Sequence, residues 1–144
     1  MTIEQIRAAI PHRPPMLLVD EILEQSGDRI VCRKTFRPDE HFVQGHYPGN
    51  AIVPGVILCE CAMQTGAVLL ASSIEPAAGQ VPVATRMNDV KFKRVVRPGE
   101  TVEIEVQLIE TLASAFFLTG KVACGGKLAA RLEFTCALAA VPAT

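Results

Sequence analysis

From Val102 to Leu108 the chain alternates strictly, with Val102, Ile104, Val106 and Leu108 separated by Glu103, Glu105 and Gln107. That period of two predicts a strand with one buried face. Over 127–138 the same rhythm puts Leu128, Ala130, Leu132, Phe134, Cys136 and Leu138 on one face, and Lys127, Arg131, Glu133 and Thr135 on the other. Residues 114–123 read as a strand between these two, and Gly125-Gly126 suits a tight hairpin. Arg97-Pro98-Gly99-Glu100 reads as a turn, with a strand over 83–95 before it. Earlier, 17–24 and 29–36 read as strands around Ser26-Gly27-Asp28. In the second of them Ile30, Cys32 and Phe36 share a face on which Lys34 is an exception. Residues 1–9 read as a short helix ended by Pro11, 76–82 as a connector, and 37–53 as a long loop rich in Pro, Gly and His. Long ordered loops in compact domains are often functional.

One segment follows neither rhythm. From Pro54 to Ser73 almost every residue is apolar or small, the notable exceptions being Glu60 and Gln64. A helix apolar on all sides is a helix surrounded by protein. Its length is near the roughly 20 residues of a membrane span. Glu60 and Gln64 fall mid-segment, however, and no basic cluster flanks it, which argues against a membrane role. The three late strands, joined by short turns, imply an antiparallel meander. The sheet must bury one face, and the central helix is the large apolar object available. The expected class is therefore α+β: a curved antiparallel sheet wrapped around one long helix, as a single domain over 1–144.

Composition narrows the function. A net charge of −1 gives no global case for nucleic acid or a membrane surface. The five cysteines are odd in number and lack framework spacing, and no basic-then-apolar leader is visible. These features favour a reduced, cytoplasmic protein. Cys59 and Cys61 flank Glu60, but two residues apart on a helix they point to different sides and read as small apolar filling. His41, His46, Asp39 and Glu40 lie close in sequence without the spacing of a zinc motif, and no phosphate-cradling glycine loop occurs. No metal and no organic cofactor is expected.

The candidate chemistry centres on His46, Gly55 and Glu60. Glu60 and Gln64, four apart, share one helical face. A carboxylate inside an apolar helix is costly unless it is paired or put to use. His46 lies just upstream in HYPGNAIVPG, where two Pro-Gly pairs fix the backbone, and Gly55 opens the helix. A histidine, a buried glutamate and a glycine at a helix start are the parts of an acid–base site. His12 and His41 read as structural or surface groups.

In order and spacing these residues resemble the hotdog-fold 3-hydroxyacyl-acyl carrier protein dehydratases of bacterial fatty-acid synthesis. The likeness spans roughly residues 5 to 138. It rests on Pro11-His12-Arg13, Pro15, Leu17-Leu18-Val19-Asp20, Gln44-Gly45-His46, Pro48-Gly49 and Pro54-Gly55-Val56. It continues through Glu60, Gln64, Val90-Lys91-Phe92-Lys93-Arg94 and Pro98-Gly99. The resemblance implies dehydration of a (3R)-3-hydroxyacyl thioester to the trans-2-enoyl thioester. His46 would be the general base and Glu60 the general acid, because an apolar site helps a carboxyl keep its proton. Gly55 would offer an N–H to the thioester oxygen, and Gln64 would orient Glu60. Lys91, Lys93 and Arg94 would dock an acidic acyl carrier protein, the alternative being a solvated strand face. The resemblance also implies a homodimer with sites straddling the interface, and is compatible with further assembly as a trimer of dimers. Tyr47, Ala51, Pro14 and Arg86 depart from the usual pattern, which bears on chain length and carrier preference rather than on the catalytic pair. Two other classes stay open: a hotdog-fold acyl thioesterase and a noncatalytic acyl-thioester-binding protein.

Overall fold

The computed structural model describes residues 2–73 and 79–140. Its elements are α1 (Ile3–Ala9), β1 (Glu21–Ser26), β2 (Arg29–Thr35), α2 (Gly55–Ser73), β3 (Gln80–Phe92), β4 (Thr101–Leu112), β5 (Ala115–Cys124) and β6 (Lys127–Ala140). All six strands form one antiparallel sheet in the order β1-β2-β4-β5-β6-β3. The sheet cradles α2, as the alternating strands and the uniformly apolar helix imply, and the arrangement is the hotdog fold that the resemblance implies.

Packing explains why the helix is rich in small residues. A Cβ on Gly66 would stand 2.8 Å from the Phe134 ring, and one on Gly120 of β5 would stand 3.0 Å from Ala62. Helix and sheet therefore approach more closely than larger residues would permit. Leu58, Cys61, Ala62, Leu69 and Leu70 of α2 are buried against Ile30, Ile104, Val122, Leu132 and Phe134 of the strands. Burying side chains of this size is worth about 1.5–3 kcal/mol each for the larger ones. Among the described residues no helix is long and apolar enough to cross a membrane.

Two expectations change, apart from strand ends: β1 starts only at Glu21 and β3 ends at Phe92. The connector over 76–82 runs partly into β3, which already includes Gln80, Val81 and Pro82, while residues 74–78 lie outside the described residues. Pro82 is accommodated because β3 is an edge strand. Leu128 leaves the predicted buried face. Val122 pairs with Ala130 but Ala123 pairs with Leu128, so one residue of β6 is bulged. Leu128 consequently shares the outer face with Val31, Glu105 and Lys121, and Ala129 and Ala130 are both buried. Lys34, the charged exception on the face of Ile30 and Cys32, is buried with them at 3% exposed, as its position in β2 implies. Its Nζ donates to Glu40 Oε1 at 2.9 Å and lies 3.8 Å from Asp20 Oδ1. Glu40 Oε2 accepts the Arg37 N–H at 3.0 Å.

That ion pair anchors the loop leading to the site. The loop is further held by Phe36 N–H to the Glu100 carbonyl (3.0 Å) and Val53 N–H to the Val96 carbonyl (2.8 Å). Phe42 packs edge-on against the buried Phe36. The predicted loop over 37–53 is thus irregular in backbone yet tied at both ends.

Candidate active site

His46 projects from this loop into a cleft of about 620 Å³. Gly45 and Gly49 take positive φ, as does Tyr47 at 54°, an uncommon conformation for a bulky side chain. The His46 ring is half-buried, edge-on to Tyr47, with Nδ1 3.1 Å from the Ile52 carbonyl oxygen. A carbonyl only accepts, so Nδ1 carries the proton and donates. Nε2 is then the basic nitrogen. Arg97 steadies the same loop through Asn50 Oδ1 at 2.8 Å and the Ala51 carbonyl at 3.3 Å.

The start of α2 forms another wall of the cleft. Gly55 lines it together with Pro54, Val56, Phe92, Lys93 and Arg94. The first N–H groups of a helix have no intrahelical partner and favour negative charge. Gly55 lets the exposed Phe92 ring close over the helix start: a Cβ there would lie 2.8 Å from that ring. The loop, the helix start and the end of β3 thus bring a base, an N–H donor and two cations to one cleft. Lys91 does not join them; it lies on β3, 3.7 Å from Asp89.

Glu60 is elsewhere. It lines a second cavity, of about 280 Å³, with Pro11, His12, Met63, Gln64, Val81 and Cys136 among its walls. No residue lining the His46 cleft lines this one. The expectation that Glu60 is buried is corrected: its side chain is 26% exposed in the isolated chain, because it lies on the α2 face that looks toward the start of β3. Gln64, by contrast, is 1% exposed and fully engaged. Its Oε1 accepts the Leu18 N–H (2.8 Å), and its Nε2 donates to the Met16 carbonyl (2.8 Å) and to Glu60 Oε2 (2.9 Å). The segment after α1 therefore fixes the amide, and the amide fixes the carboxyl.

Pattern reading left His12 out of the site, yet its Nε2 lies 3.8 Å from Glu60 Oε2. The available signal was its place in Pro11-His12-Arg13; the approach to Glu60 is purely tertiary. His41 is exposed, and Asp39 and Glu40 are engaged by Arg37 and Lys34. Among the described residues no group of three or more His, Cys, Asp or Glu side chains could hold a metal ion. Burial pushes the Cys136 thiol up to about 11 and raises those of Cys59 and Cys61, so near neutral pH these thiols are protonated filling rather than nucleophiles.

Comparison with known proteins gives the family and the fold. Residues 23–127 match the ApeI-like family, described as ApeI dehydratase. The chain is 41% identical over 135 residues to the 3-hydroxyacyl-(acyl-carrier-protein) dehydratase FabZ of Oenococcus oeni, covering 89% of this chain and 96% of that one. It is 48% identical over 109 residues to the FabZ of Chloroflexus aggregans, covering 75% of each. Among solved structures, the dehydratase heterocomplex ApeI:P of Xenorhabdus doucetiae superposes with a TM-score of 0.79 at 16% identity, covering 93% of this chain and 90% of that one. The E. coli PaaI protein superposes at 0.65 and 17%, covering 81% of each. At such identities the structural likeness speaks for the fold alone.

Proposed function

The chain belongs to the 3-hydroxyacyl-(acyl-carrier-protein) dehydratases of the FabZ kind, and from that premise we propose how its two cavities divide the reaction. The reaction removes water from a 3-hydroxyacyl thioester borne on acyl carrier protein and leaves the 2-enoyl thioester, a step of fatty-acid biosynthesis. His46 Nε2 takes a proton from C2. The electrons of that C–H bond form the C2=C3 double bond. The C3–O bond breaks, and the departing oxygen leaves as water with a proton from Glu60. Charge gathering on the thioester oxygen is met by the Gly55 N–H. Acid–base help of this kind is typically worth about 10²–10⁴-fold.

The observation that carries this reading is the commitment of His46 Nδ1 to the Ile52 carbonyl, which leaves a neutral basic nitrogen in the cleft that Gly55 lines. The assay that tests it follows one thioester by two signals. Rising enoyl absorbance without free thiol is expected. Free thiol with no enoyl would mean a thioesterase, and binding with neither signal would mean a noncatalytic acyl-thioester carrier.

The working unit in this reading is a homodimer. β3 is a 13-residue edge strand with Val83, Met87 and Phe92 exposed. An apolar edge of this kind invites pairing with another strand. Val81–Ala84, at the start of β3, line the Glu60 cavity, and Phe92 at its end lines the His46 cleft. Antiparallel pairing of β3 with its copy about a two-fold axis lays the start of one strand beside the end of the other. His46 of one chain then faces Glu60 of its partner, twice per dimer. Such dimers can assemble further, as a trimer of dimers. Lys93 and Arg94 at the cleft mouth receive the acidic carrier, and five unpaired buried thiols accord with action in the cytoplasm.

A further inference from the structure

Two side chains meet one oxygen of Glu60. Gln64 Nε2 donates to Oε2 at 2.9 Å, and His12 Nε2 stands 3.8 Å from the same atom. Oε1 carries neither contact. The His12 ring has a second peculiarity: Nδ1 is buried and has no hydrogen-bond partner among the described residues. A buried N–H left without an acceptor costs about 1–3 kcal/mol. The ring proton is therefore best held on Nε2, directed toward Glu60. At 3.8 Å the contact is about 1 Å longer than a hydrogen bond. Such contacts commonly tighten when substrate fills the site.

The elimination needs one defined oxygen of Glu60 to surrender a proton. In a carboxylic acid the oxygen that accepts hydrogen bonds is the carbonyl oxygen, and the other bears the proton. With Gln64 donating to Oε2 and His12 Nε2 approaching the same oxygen, the transferable proton belongs on Oε1. We propose that His12 is a positioning residue for the dehydration: with Gln64 it holds Glu60 Oε2 as an acceptor, so that Oε1 is the oxygen that protonates the leaving hydroxyl. The inference rests on the reading of Glu60 as the general acid. His12 reaches the reaction only through Glu60, and Gln64 alone would leave the carboxyl free to turn about its bond to the amide.

The test varies the need for an acid. Hydroxide needs a proton to leave C3, whereas chloride departs with its electron pair and needs none. Elimination from a 3-hydroxybutyryl and a 3-chlorobutyryl thioester is measured for wild type, Glu60→Gln, His12→Asn and His12→Gln, with spontaneous chloride loss subtracted. Asn places its amide nitrogen near the Nδ1 position and offers nothing toward Glu60; Gln reaches the Nε2 position and keeps an N–H. His12→Asn should lower kcat on the hydroxyl substrate about tenfold, the effect of losing one hydrogen bond, with KM little changed. It should leave chloride elimination near wild type, and His12→Gln should restore most of the loss. Equal losses on both substrates would make His12 merely structural and overturn the proposal, as would no loss on either. A failure of the underlying reading looks different: Glu60→Gln would then be equally slow on both substrates, whatever His12 does. Should His12→Asn fold poorly, His12→Gln with His12→Leu gives the same contrast between a ring-position donor and none.

Discussion

Glu40 and Glu60 are two acids withdrawn wholly or partly from solvent, and the chain treats them differently. Glu40 is 7% exposed and is given a full cation, Lys34 Nζ at 2.9 Å, with a backbone N–H on its other oxygen. Glu60 receives a neutral amide at 2.9 Å and a histidine at 3.8 Å, both on one oxygen, and keeps an open side toward a cavity. A carboxylate whose two oxygens are both engaged, one by a cation and one by a backbone N–H, is tied into the fold. One held through a single oxygen, with the other facing a cavity, is placed to meet a substrate. The contrast separates an acid that ties a loop down from one that reacts.

The largest effect should come from removing the reactive acid. Glu60→Gln keeps shape and polarity but has no proton to give, and His46→Ala removes the base. Each should lower turnover by about 10²–10⁴-fold. Glu60→Gln should leave stability within about 0.5 kcal/mol of wild type, since no cation depends on that carboxyl. Mixing then probes the shared site. Co-refolded His46→Ala and Glu60→Gln chains form mixed dimers in half of random pairings, each with one site intact and one doubly defective. Activity should return to about a quarter of wild type. A mixture as inactive as its components would mean that each chain builds its own site.

At Glu40 the pattern should invert, with stability lost first. Glu40→Gln leaves the buried Lys34 ammonium with only the partly exposed Asp20 carboxylate, 3.8 Å away, and Lys34→Met strands the Glu40 carboxylate. Removing one partner of a buried pair costs about 3–5 kcal/mol. Urea unfolding should report losses of that order for each single variant, and the double variant Lys34→Met with Glu40→Leu should recover most of the loss. Little change in the single variants, or a double variant worse than both, would mean that the pair does not carry the loop anchor assigned to it.

How far the sequence reveals this contrast depends on the range of the interactions. Alternation at Val102–Leu108 and the unbroken apolar run of α2 are local, and each predicts its element. The bulge at Ala129 has no local signature: Leu128-Ala129-Ala130 could continue the alternation, and only pairing with β5 shows the extra residue. Lys34 stands out in β2 as an anomaly, but its partner lies beyond a turn in the loop and cannot be chosen over Asp20 or Asp39 from spacing alone. Glu60 and Gln64 are legible as one helical face. His12 is not, since its relation to Glu60 depends on how the segment after α1 folds back across α2, an approach fixed by Leu18 and Met16 bonding to Gln64.

The smallest effect concerns cations at the opposite extreme from Lys34. Lys93 and Arg94 are exposed at the mouth of the His46 cleft. Solvent already satisfies them, so their removal should hardly change stability. Their reach is long, about 8–10 Å at moderate salt, and they can attract an acidic carrier before contact. Charges at the rim of an interface act mainly on encounter. Charge reversal at both positions should therefore raise KM for a carrier-borne substrate by a few-fold and leave kcat little changed. With a small thioester, which has no acidic surface to be steered, KM should hardly move. Added salt should weaken wild-type turnover on the carrier substrate in the same direction and erase its advantage over the reversed variant. Equal KM changes on the two substrates would reduce Lys93 and Arg94 to ordinary surface charge, and the docking role would pass from this end of β3.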